Sequence, residues 1–196
     1  MGKIFCLMGK SSSGKDTIFK QLKCDKELDL NVIVPYTTRP KRNNEIDGIT
    51  YYFVDKSILD RYEKNGKMIE KRVYNTIKGD WYYCTIDDGN ISINKNNYII
   101  ITTLEAYEKL QDYFGRENIV PIYINVDDGI RLERALERER MQETPNYDEL
   151  CRRFLADSSD FSEEKLKKSG IEKYYNNIDL NQCIVQIKGD ILKNIN

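Results

Sequence analysis

The chain has 196 residues, with 31 Lys and Arg against 32 Asp and Glu, a formal net charge of -1 and no histidine. This length fits one domain with a sizeable core, and the balanced charge provides no general attraction to nucleic acid or to an anionic membrane. The lack of histidine excludes Ser-His and Cys-His catalysis and histidine metal sites. The five cysteines form no C-x-x-C pair, which argues against a disulfide framework and a zinc site.

The N-terminal half predicts short strands separated by glycine-rich loops. A buried strand at 3–8 is followed by a glycine loop and a helix at 16–23. A strand at 31–34, a loop at 37–48 and a strand at 49–54 follow, and then a helix from Asp55, its expected N-cap, to Gly66. Residues 67–93 alternate and are broken at Lys78-Gly79 and Asp88-Gly89, which predicts antiparallel strands.

From residue 97 the pattern changes to continuous apolar strands alternating with helices. Strands are predicted at 97–103 and 118–126, and helices at 104–115 and 128–142. Residues 146–170 are helical and charged, and 171–177 read as an edge strand. The last segment, 180–194, favours a helix by its apolar spacing, with a strand at 182–187 as the alternative. This alternation predicts a parallel sheet covered on both faces.

The loop after the first strand nearly matches the phosphate-binding motif G-x-x-x-x-G-K-[ST]. Gly9, Gly14 and Lys15 stand at the motif spacing, Asp16 replaces the expected hydroxyl, and Thr17 supplies one a position later. Glycines let backbone N–H groups turn inward, and a helix N-terminus adds partial positive charge. The predicted ATP site is formed by Gly9, Lys10, Ser11, Ser12, Ser13, Gly14, Lys15, Asp16 and Thr17.

Asp16 raises the question of a metal ion. A carboxylate beside a triphosphate is repulsive unless a cation intervenes, so Asp16 and Thr17 are the candidate Mg²⁺ ligands. The alternative is that both side chains only cap the first helical turn.

A second candidate anion site lies in the loop at 37–48. Arg39 and Arg42 are three residues apart, and two guanidinium groups suit a monophosphate dianion better than one lysine does. The alternative is a solvated basic loop with Glu45 as its counter-ion.

This stretch resembles the nucleoside-monophosphate (NMP) loop of the guanylate kinase family. Eight residues fall in register: Thr37, Thr38, Arg39, Arg42, Glu45, Gly48, Tyr51 and Phe53. The resemblance continues through Glu70, Tyr83 and Thr85. It implies an α/β fold of the P-loop NTPase type, a three-layer parallel sheet with helices on both faces, plus a small antiparallel NMP-binding insert and a helical lid. The implied core is 1–34, 94–130 and 155–196, with the insert at 35–93 and the lid at about 131–154.

The same resemblance implies roles for individual residues. The acceptor phosphate would meet Arg39, Arg42, Tyr51 and Tyr83, and Glu70 would accept hydrogen bonds from guanine. The full predicted NMP-binding set is Thr38, Arg39, Arg42, Glu45, Tyr51, Glu70, Tyr83, Thr85 and Thr103. The predicted catalytic residues are Lys15 with the lid arginines Arg134, Arg138 and Arg152, with Arg153 as an alternative to the last. A surface helix with Glu-Arg pairs is the alternative for the lid.

Three departures from the family pattern bear on base specificity more than on phosphate binding, although the positions of Ile101 and Thr103 are linked in the family both to the base and to the metal-phosphate network. Pro35 stands where the family has a serine that meets guanine, and Cys84 replaces a glycine. Ile101 and Thr103 occupy the positions of two aspartates.

The sequence therefore predicts ATP-dependent phosphoryl transfer to an NMP, in the first place GMP or dGMP, with ATP and Mg²⁺. We expect small-molecule nucleotides as partners, no nucleic acid or membrane, and a cytoplasmic location; the oligomeric state is left open. Two alternatives remain: another phosphorylated acceptor, such as a different NMP or a ribosyl bisphosphate, and a non-catalytic phosphopeptide-binding module. The kinase hypothesis requires that Lys15 and the Arg39 loop face each other across a cleft.

Overall fold

The computed structural model describes residues 1–42, 45–76 and 79–195. Its strands are β1 (Ile4–Met8), β2 (Leu30–Val32), β3 (Tyr36–Thr37), β4 (Tyr52–Phe53), β5 (Met68–Thr76), β6 (Gly79–Ile86), β7 (Asn97–Ile101), β8 (Ile119–Asn125) and β9 (Tyr174–Asn176). Its helices are α1 (Lys15–Cys24), α2 (Lys56–Lys64), α3 (Leu104–Phe114), α4 (Asp128–Arg140), α5 (Tyr147–Asp160), α6 (Glu163–Lys168) and α7 (Leu180–Ile195).

The main sheet has the strand order β2-β7-β1-β8-β9, and every neighbouring pair is parallel. Its central strand β1 is buried along its whole length, as the continuous apolar run predicts. Side chains alternate across a strand, so Ile4 and Cys6 join the cluster on the α3 side while Phe5 and Leu7 join the one that α1 and α7 cover. The three-layer α/β prediction is confirmed, and β9 is the edge strand expected at 171–177.

Parallel strands place their carboxyl ends at one edge of the sheet, where such folds bind ligands. The glycine loop follows β1 at this edge, Thr102 and Thr103 follow β7, and Asn177 follows β9. The loop at 33–35 leaves the same edge after β2 and begins the insert. All segments with predicted phosphate chemistry therefore start from one side of the sheet.

The insert forms a second sheet with the order β4-β3-β6-β5. The β5/β6 and β3/β6 pairs are antiparallel, whereas β3 and β4 are parallel. The insert has its own small core, in which Tyr36, Leu59, Cys84 and Ile86 are buried. Cys84 therefore fills apolar space.

Two predicted boundaries in the insert are wrong. The strand expected at 49–54 is reduced to β4, because Gly48 takes a positive φ of 74° and its N–H bonds the carbonyl of Tyr51, which turns the chain back. Thr37, expected in a loop, lies in β3. The predicted break at Asp88-Gly89 is confirmed, since β6 ends at Ile86. Lys78, part of the other predicted break, lies outside the described residues.

The C-terminal segment is the helix α7, so the strand alternative at 182–187 is wrong. Cys183, Ile187 and Ile191 are buried along one face of α7, at the helical spacing seen in the sequence. The charged helical region at 146–170 is two helices, because the chain breaks at Phe161, which is buried 5.6 Å from the ring of Tyr123. Within the described ranges, no helix combines the length and apolar character that crossing a membrane requires.

Candidate active site

The glycine loop wraps the N-terminus of α1. Gly14 is the N-cap residue in the left-handed region (φ 86°), and its carbonyl accepts from the N–H groups of Thr17 and Ile18, each at 3.1 Å. The Ser13 Oγ atom is buried without a hydrogen-bond partner among the described residues. Within the described ranges the ammonium group of Lys15 has no partner either. A buried hydroxyl and a lysine left unpaired at a helix N-terminus are the groups that an anion would satisfy.

Neither Asp16 nor Thr17 caps α1, because Gly14 is the N-cap and no side chain bonds to the first turn. The capping alternative is therefore wrong. Both side chains are exposed beside Lys15. No group of three or more Cys, Asp or Glu side chains in the described ranges could hold a metal ion by itself. An exposed carboxylate and hydroxyl nevertheless fit Mg²⁺, which usually takes one or two protein ligands together with substrate phosphates.

Three contacts from distant parts of the chain hold the loop in place. The Asn177 Nδ2 group donates to the carbonyl of Ser13 at 2.8 Å, and the Ser11 N–H donates to the Asp157 carboxylate at 2.6 Å. The Arg131 guanidinium donates to the carbonyl of Ser11 at 3.0 Å. Sequence reasoning missed Asn177 and Asp157, because they lie 164 and 146 residues from their partners and belong to no local pattern.

We expect Gly14→Ala to destabilise the protein. A Cβ at this position would lie 2.4 Å from the Asn177 Nδ2 atom, and the backbone has a φ that side chains rarely adopt. Left-handed backbone alone costs an L-residue about 1–2 kcal/mol, and displacement of Asn177 adds to it. Chemical denaturation should show this loss in the free energy of unfolding.

Gly189→Ala is the matched control, because it lies inside α7 with open space around the added methyl group. It should stabilise the protein by about 0.4–1 kcal/mol. Equal effects of the two substitutions would contradict the role given to the Gly14 conformation.

The lid arginines divide into two groups. Arg138 donates to the Ser12 Oγ atom at 3.3 Å, and Arg134 reaches the carbonyl of Asn177 at 3.5 Å, so both lie beside the glycine loop. Arg152 is 63% exposed and pairs with Glu149 at 2.7 Å, as Arg153 does at 3.2 Å. The structure therefore brings two of the three predicted catalytic arginines to the loop and leaves the third on the surface.

Arg131 has a structural role that its spacing alone does not reveal. Its side chain is buried, pairs with Asp128 at 2.6 Å and lies 4.8 Å from the ring of Phe154. The hydrogen bond from Arg131 lowers the pKa of the Asp128 carboxyl group. Arg131 thus ties α4 and α5 to the glycine loop.

In the insert, Arg39 is 4% exposed and held on two sides. Its two Nη atoms donate to the two carboxylate oxygens of Glu45 at 2.9 and 2.7 Å, and its Nε atom donates to the Tyr83 hydroxyl at 2.9 Å. The hydrogen bond between the pair raises the pKa of Arg39 and lowers that of Glu45. A solvated loop is therefore the wrong description of Arg39, although Glu45 is its counter-ion.

Around this pair lie further residues of the predicted acceptor site. The rings of Tyr51 and Phe53 lie 5.6 and 5.7 Å from the Arg39 guanidinium carbon, and the ring of Tyr51 packs edge-on against that of Tyr83. Burial raises the pKa of the Tyr51 hydroxyl. Arg42 is exposed, and among the described residues its guanidinium group makes no hydrogen bond or ion pair, although its charge helps to lower the pKa of Glu45.

Glu70 and Thr85 lie directly opposite each other on β5 and β6. The Thr85 hydroxyl donates to the Glu70 Oε1 atom at 2.8 Å. Glu70 also pairs with Arg72, which sequence reasoning missed although it lies two residues along the same strand and hence on the same face. A cavity of about 250 Å³ adjoins Glu70, between the insert and α3.

The hydroxyl groups of two predicted NMP-binding residues accept hydrogen bonds from backbone N–H groups. Thr103 is the N-cap of α3, where its hydroxyl accepts from the Ala106 N–H at 3.3 Å. The Thr38 hydroxyl accepts from the Tyr82 N–H at 3.0 Å, which joins β6 to the residue after β3.

The fold and this loop define a parallel α/β protein with a phosphate-binding loop after its first strand. Comparison with known proteins makes the assignment more specific. The sequence model of guanylate kinase matches residues 1–164. The chain belongs to the guanylate kinase family.

Individual relatives agree with this assignment. A guanylate kinase of Rhodopirellula baltica is 33% identical over 69% of the chain and 64% of its own length. Another, of Mycoplasmoides gallisepticum, is 31% identical over 51% of the chain and 50% of its own length. The matched region thus spans about half to two thirds of these curated relatives. The crystal structure of guanylate kinase from Anaplasma phagocytophilum shares the fold, with a TM-score of 0.66 and 21% sequence identity. The superposition covers 99% of this chain and 86% of that structure.

Proposed function

We propose that this chain is an ATP-dependent NMP kinase that phosphorylates GMP or dGMP. The observation that carries the proposal is the Lys15 ammonium group at the start of α1, next to the buried Ser13 hydroxyl, both without a partner in the part of the chain that the structure describes. These groups suit the outer phosphates of ATP, which is the phosphoryl donor. Membership of the guanylate kinase family supports the same substrate class.

The acceptor phosphate is assigned to the Arg39 face of the insert. A guanidinium group that is almost buried beside a phenol interacts strongly with a dianion, because little water competes there. Arg42, exposed at the entrance, adds a second positive charge. Glu45 holds Arg39 in a fixed orientation before the phosphate arrives, which lowers the entropy lost on binding.

Phosphoryl transfer depends mainly on positioning and on neutralising charge. In this proposal Lys15, Arg134 and Arg138 stabilise the negative charge that develops on the transferred group. Asp16 and Thr17 would hold Mg²⁺, which would neutralise phosphate charge. Closure of the insert (35–93) and the lid (about 131–154) aligns donor and acceptor and excludes water, whose attack would waste ATP.

The base is assigned to Glu70 and Thr85. A carboxylate accepts from the adjacent N1–H and exocyclic amine of guanine, whereas adenine has a lone pair where guanine has its N1–H. The adjoining cavity, with a volume of about 250 Å³, has room for a purine. Because ATP and NMPs are cytoplasmic metabolites, we propose small nucleotides as partners and the cytoplasm as the location.

The proposal is tested by measuring ADP release from ATP with every ribo- and deoxynucleoside monophosphate. We expect GMP or dGMP to give the highest kcat/KM. Glu70→Gln should lower kcat/KM for GMP by about 100-fold, because it turns one acceptor oxygen into a donor that opposes guanine. Equal turnover of AMP and GMP by the unaltered protein would contradict the guanine assignment.

Glu172→Ala, which removes an exposed glutamate remote from the insert, should leave these values unchanged. The same assay, extended to a ribosyl bisphosphate as acceptor and combined with a measurement of phosphopeptide binding, separates the alternatives. Fastest turnover of another NMP, or of a ribosyl bisphosphate, would identify a different acceptor. Binding of phosphopeptides without ADP release from any nucleotide would identify a binding module.

A further inference from the structure

The Glu70 carboxylate is already engaged by an arginine of the same strand. The Arg72 Nε atom donates to Glu70 Oε2 at 3.0 Å, and its Nη2 atom donates to Oε1 at 3.3 Å. The Glu70 side chain is 2% exposed and that of Arg72 is 16% exposed. The Thr85 hydroxyl also donates to Oε1, so both oxygens of the Glu70 carboxylate have partners within the protein.

The arginine and the base present the same chemical pattern to this carboxylate. The Nε and Nη2 groups of a guanidinium form a pair of parallel N–H donors that matches the two oxygens of a carboxylate. Guanine offers an equivalent donor pair through N1–H and its exocyclic amine. Guanine can therefore bind Glu70 through both donors only where Arg72 gives up one or both of its bonds.

The pair also has an electrostatic consequence for other bases. Burial opposes the charge of Arg72, but attraction to Glu70 and hydrogen bonds with it outweigh this effect and raise the guanidinium pKa. The positive charge of Arg72 thus balances the charge of the Glu70 carboxylate before any base arrives. When a base without two adjacent donors binds, Arg72 still pairs with Glu70, so no buried carboxylate is left unpaired. The free-energy penalty that would exclude such a base is therefore smaller.

We propose that Arg72 is a specificity-determining residue, which competes with guanine for Glu70 and thereby weakens the preference for guanine over adenine. This inference rests on the proposed function, since it takes Glu70 as the base-reading residue. Guanine must displace the guanidinium group before it binds, whereas adenine binds beside the intact pair. The partial exposure of Arg72 gives the displaced group a way out to solvent.

The test is a calorimetric comparison of GMP and AMP affinity in the intact protein and in Arg72→Ala. We expect the Kd for GMP to fall by about tenfold, because guanine no longer displaces a charged hydrogen-bond partner. The Kd for AMP should stay constant or rise, since adenine then faces an unpaired carboxylate. The preference for GMP over AMP therefore increases by about tenfold or more. An unchanged or reduced preference would overturn the inference, as would a failure of both nucleotides to bind.

Two further variants separate specificity from stability. Arg72→Gln removes the charge and the Nη2 donor but keeps a polar group near the position of Nε, so it should shift the preference in the same direction by a smaller amount, and the test survives if Arg72→Ala fails to fold. In a Glu70→Gln background, Arg72→Ala should leave the GMP to AMP ratio unchanged, because the two residues act as one unit. Arg61→Ala, which removes an exposed arginine from α2 of the same insert, should change neither affinity.

Affinity and turnover answer different questions. If the GMP preference rises as expected but no variant releases ADP, the proposed kinase activity fails and the role of Arg72 stands. If the protein turns over GMP but the preference does not respond to Arg72→Ala, the kinase proposal stands and the role of Arg72 fails.

Discussion

Lys15→Ala is expected to lower kcat for ADP release by about 100- to 1,000-fold, the range for removing one preorganised donor that stabilises transition-state charge. Lys15 is the first residue of α1 and has no partner in the described ranges, so its charge is available to the phosphates. The stability of the protein should change little, because no internal ion pair of the described chain is lost. The measurements are ADP release at saturating substrates and thermal unfolding of the same samples.

Lys20→Ala provides the matched control, since Lys20 lies on the same helix and is exposed. It should leave kcat unchanged. A Lys15→Ala protein that keeps more than about a tenth of the original kcat would exclude the role of Lys15 in charge stabilisation.

Arg39→Ala is expected to raise KM for the acceptor nucleotide by about 100-fold or more, because it removes the guanidinium group assigned to the acceptor phosphate. It also leaves Glu45 without its partner in a largely buried position, since the side chain of Arg39 is 3% exposed and that of Glu45 is 14% exposed. Breaking a buried pair in this way costs about 3–5 kcal/mol of stability, and hydration of the unpaired Glu45 carboxylate reduces this loss. Steady-state kinetics with GMP and chemical denaturation measure the two effects.

The contribution of this pair to stability also depends on pH. Arg39 lowers the pKa of Glu45 in the folded protein, so the stabilisation is present above the ordinary carboxyl pKa of 4.5 and is lost as the pH falls through the lowered value. Arg39→Ala should therefore reduce the acid-side slope of the unfolding free energy. Arg39→Lys keeps the charge without the planar fork and should recover part of the stability but little of the KM. Full recovery of KM by lysine would contradict the requirement for a guanidinium group at this position.

Features encoded within a few neighbouring residues were determined by the sequence alone. The continuous apolar run of β1 predicts a strand buried on both faces, and the spacing of Cys183, Ile187 and Ile191 predicts α7. The glycine loop depends on residues that are adjacent in the chain. In each case the backbone conformation follows from local sterics and from the side-chain period of a strand or helix. The boundaries of β3 and β4 were not predictable in this way, because β3 forms by pairing with residues of β4 and β6 and the Gly48 turn shortens the strand expected at 49–54.

Contacts between distant residues were decided only by the tertiary structure. Asp157 and Asn177 hold the glycine loop from more than 140 residues away. The burial of Arg131 and the surface position of Arg152 could not be read from their similar sequence surroundings, because burial depends on how α4 and α5 pack. The pairing of Arg72 with Glu70 requires the low exposure that the folded insert provides, since in water such an ion pair is weak. The sequence by itself therefore determined the elements and the phosphate chemistry, while packing decided which charged groups neutralise one another and which remain free for a ligand.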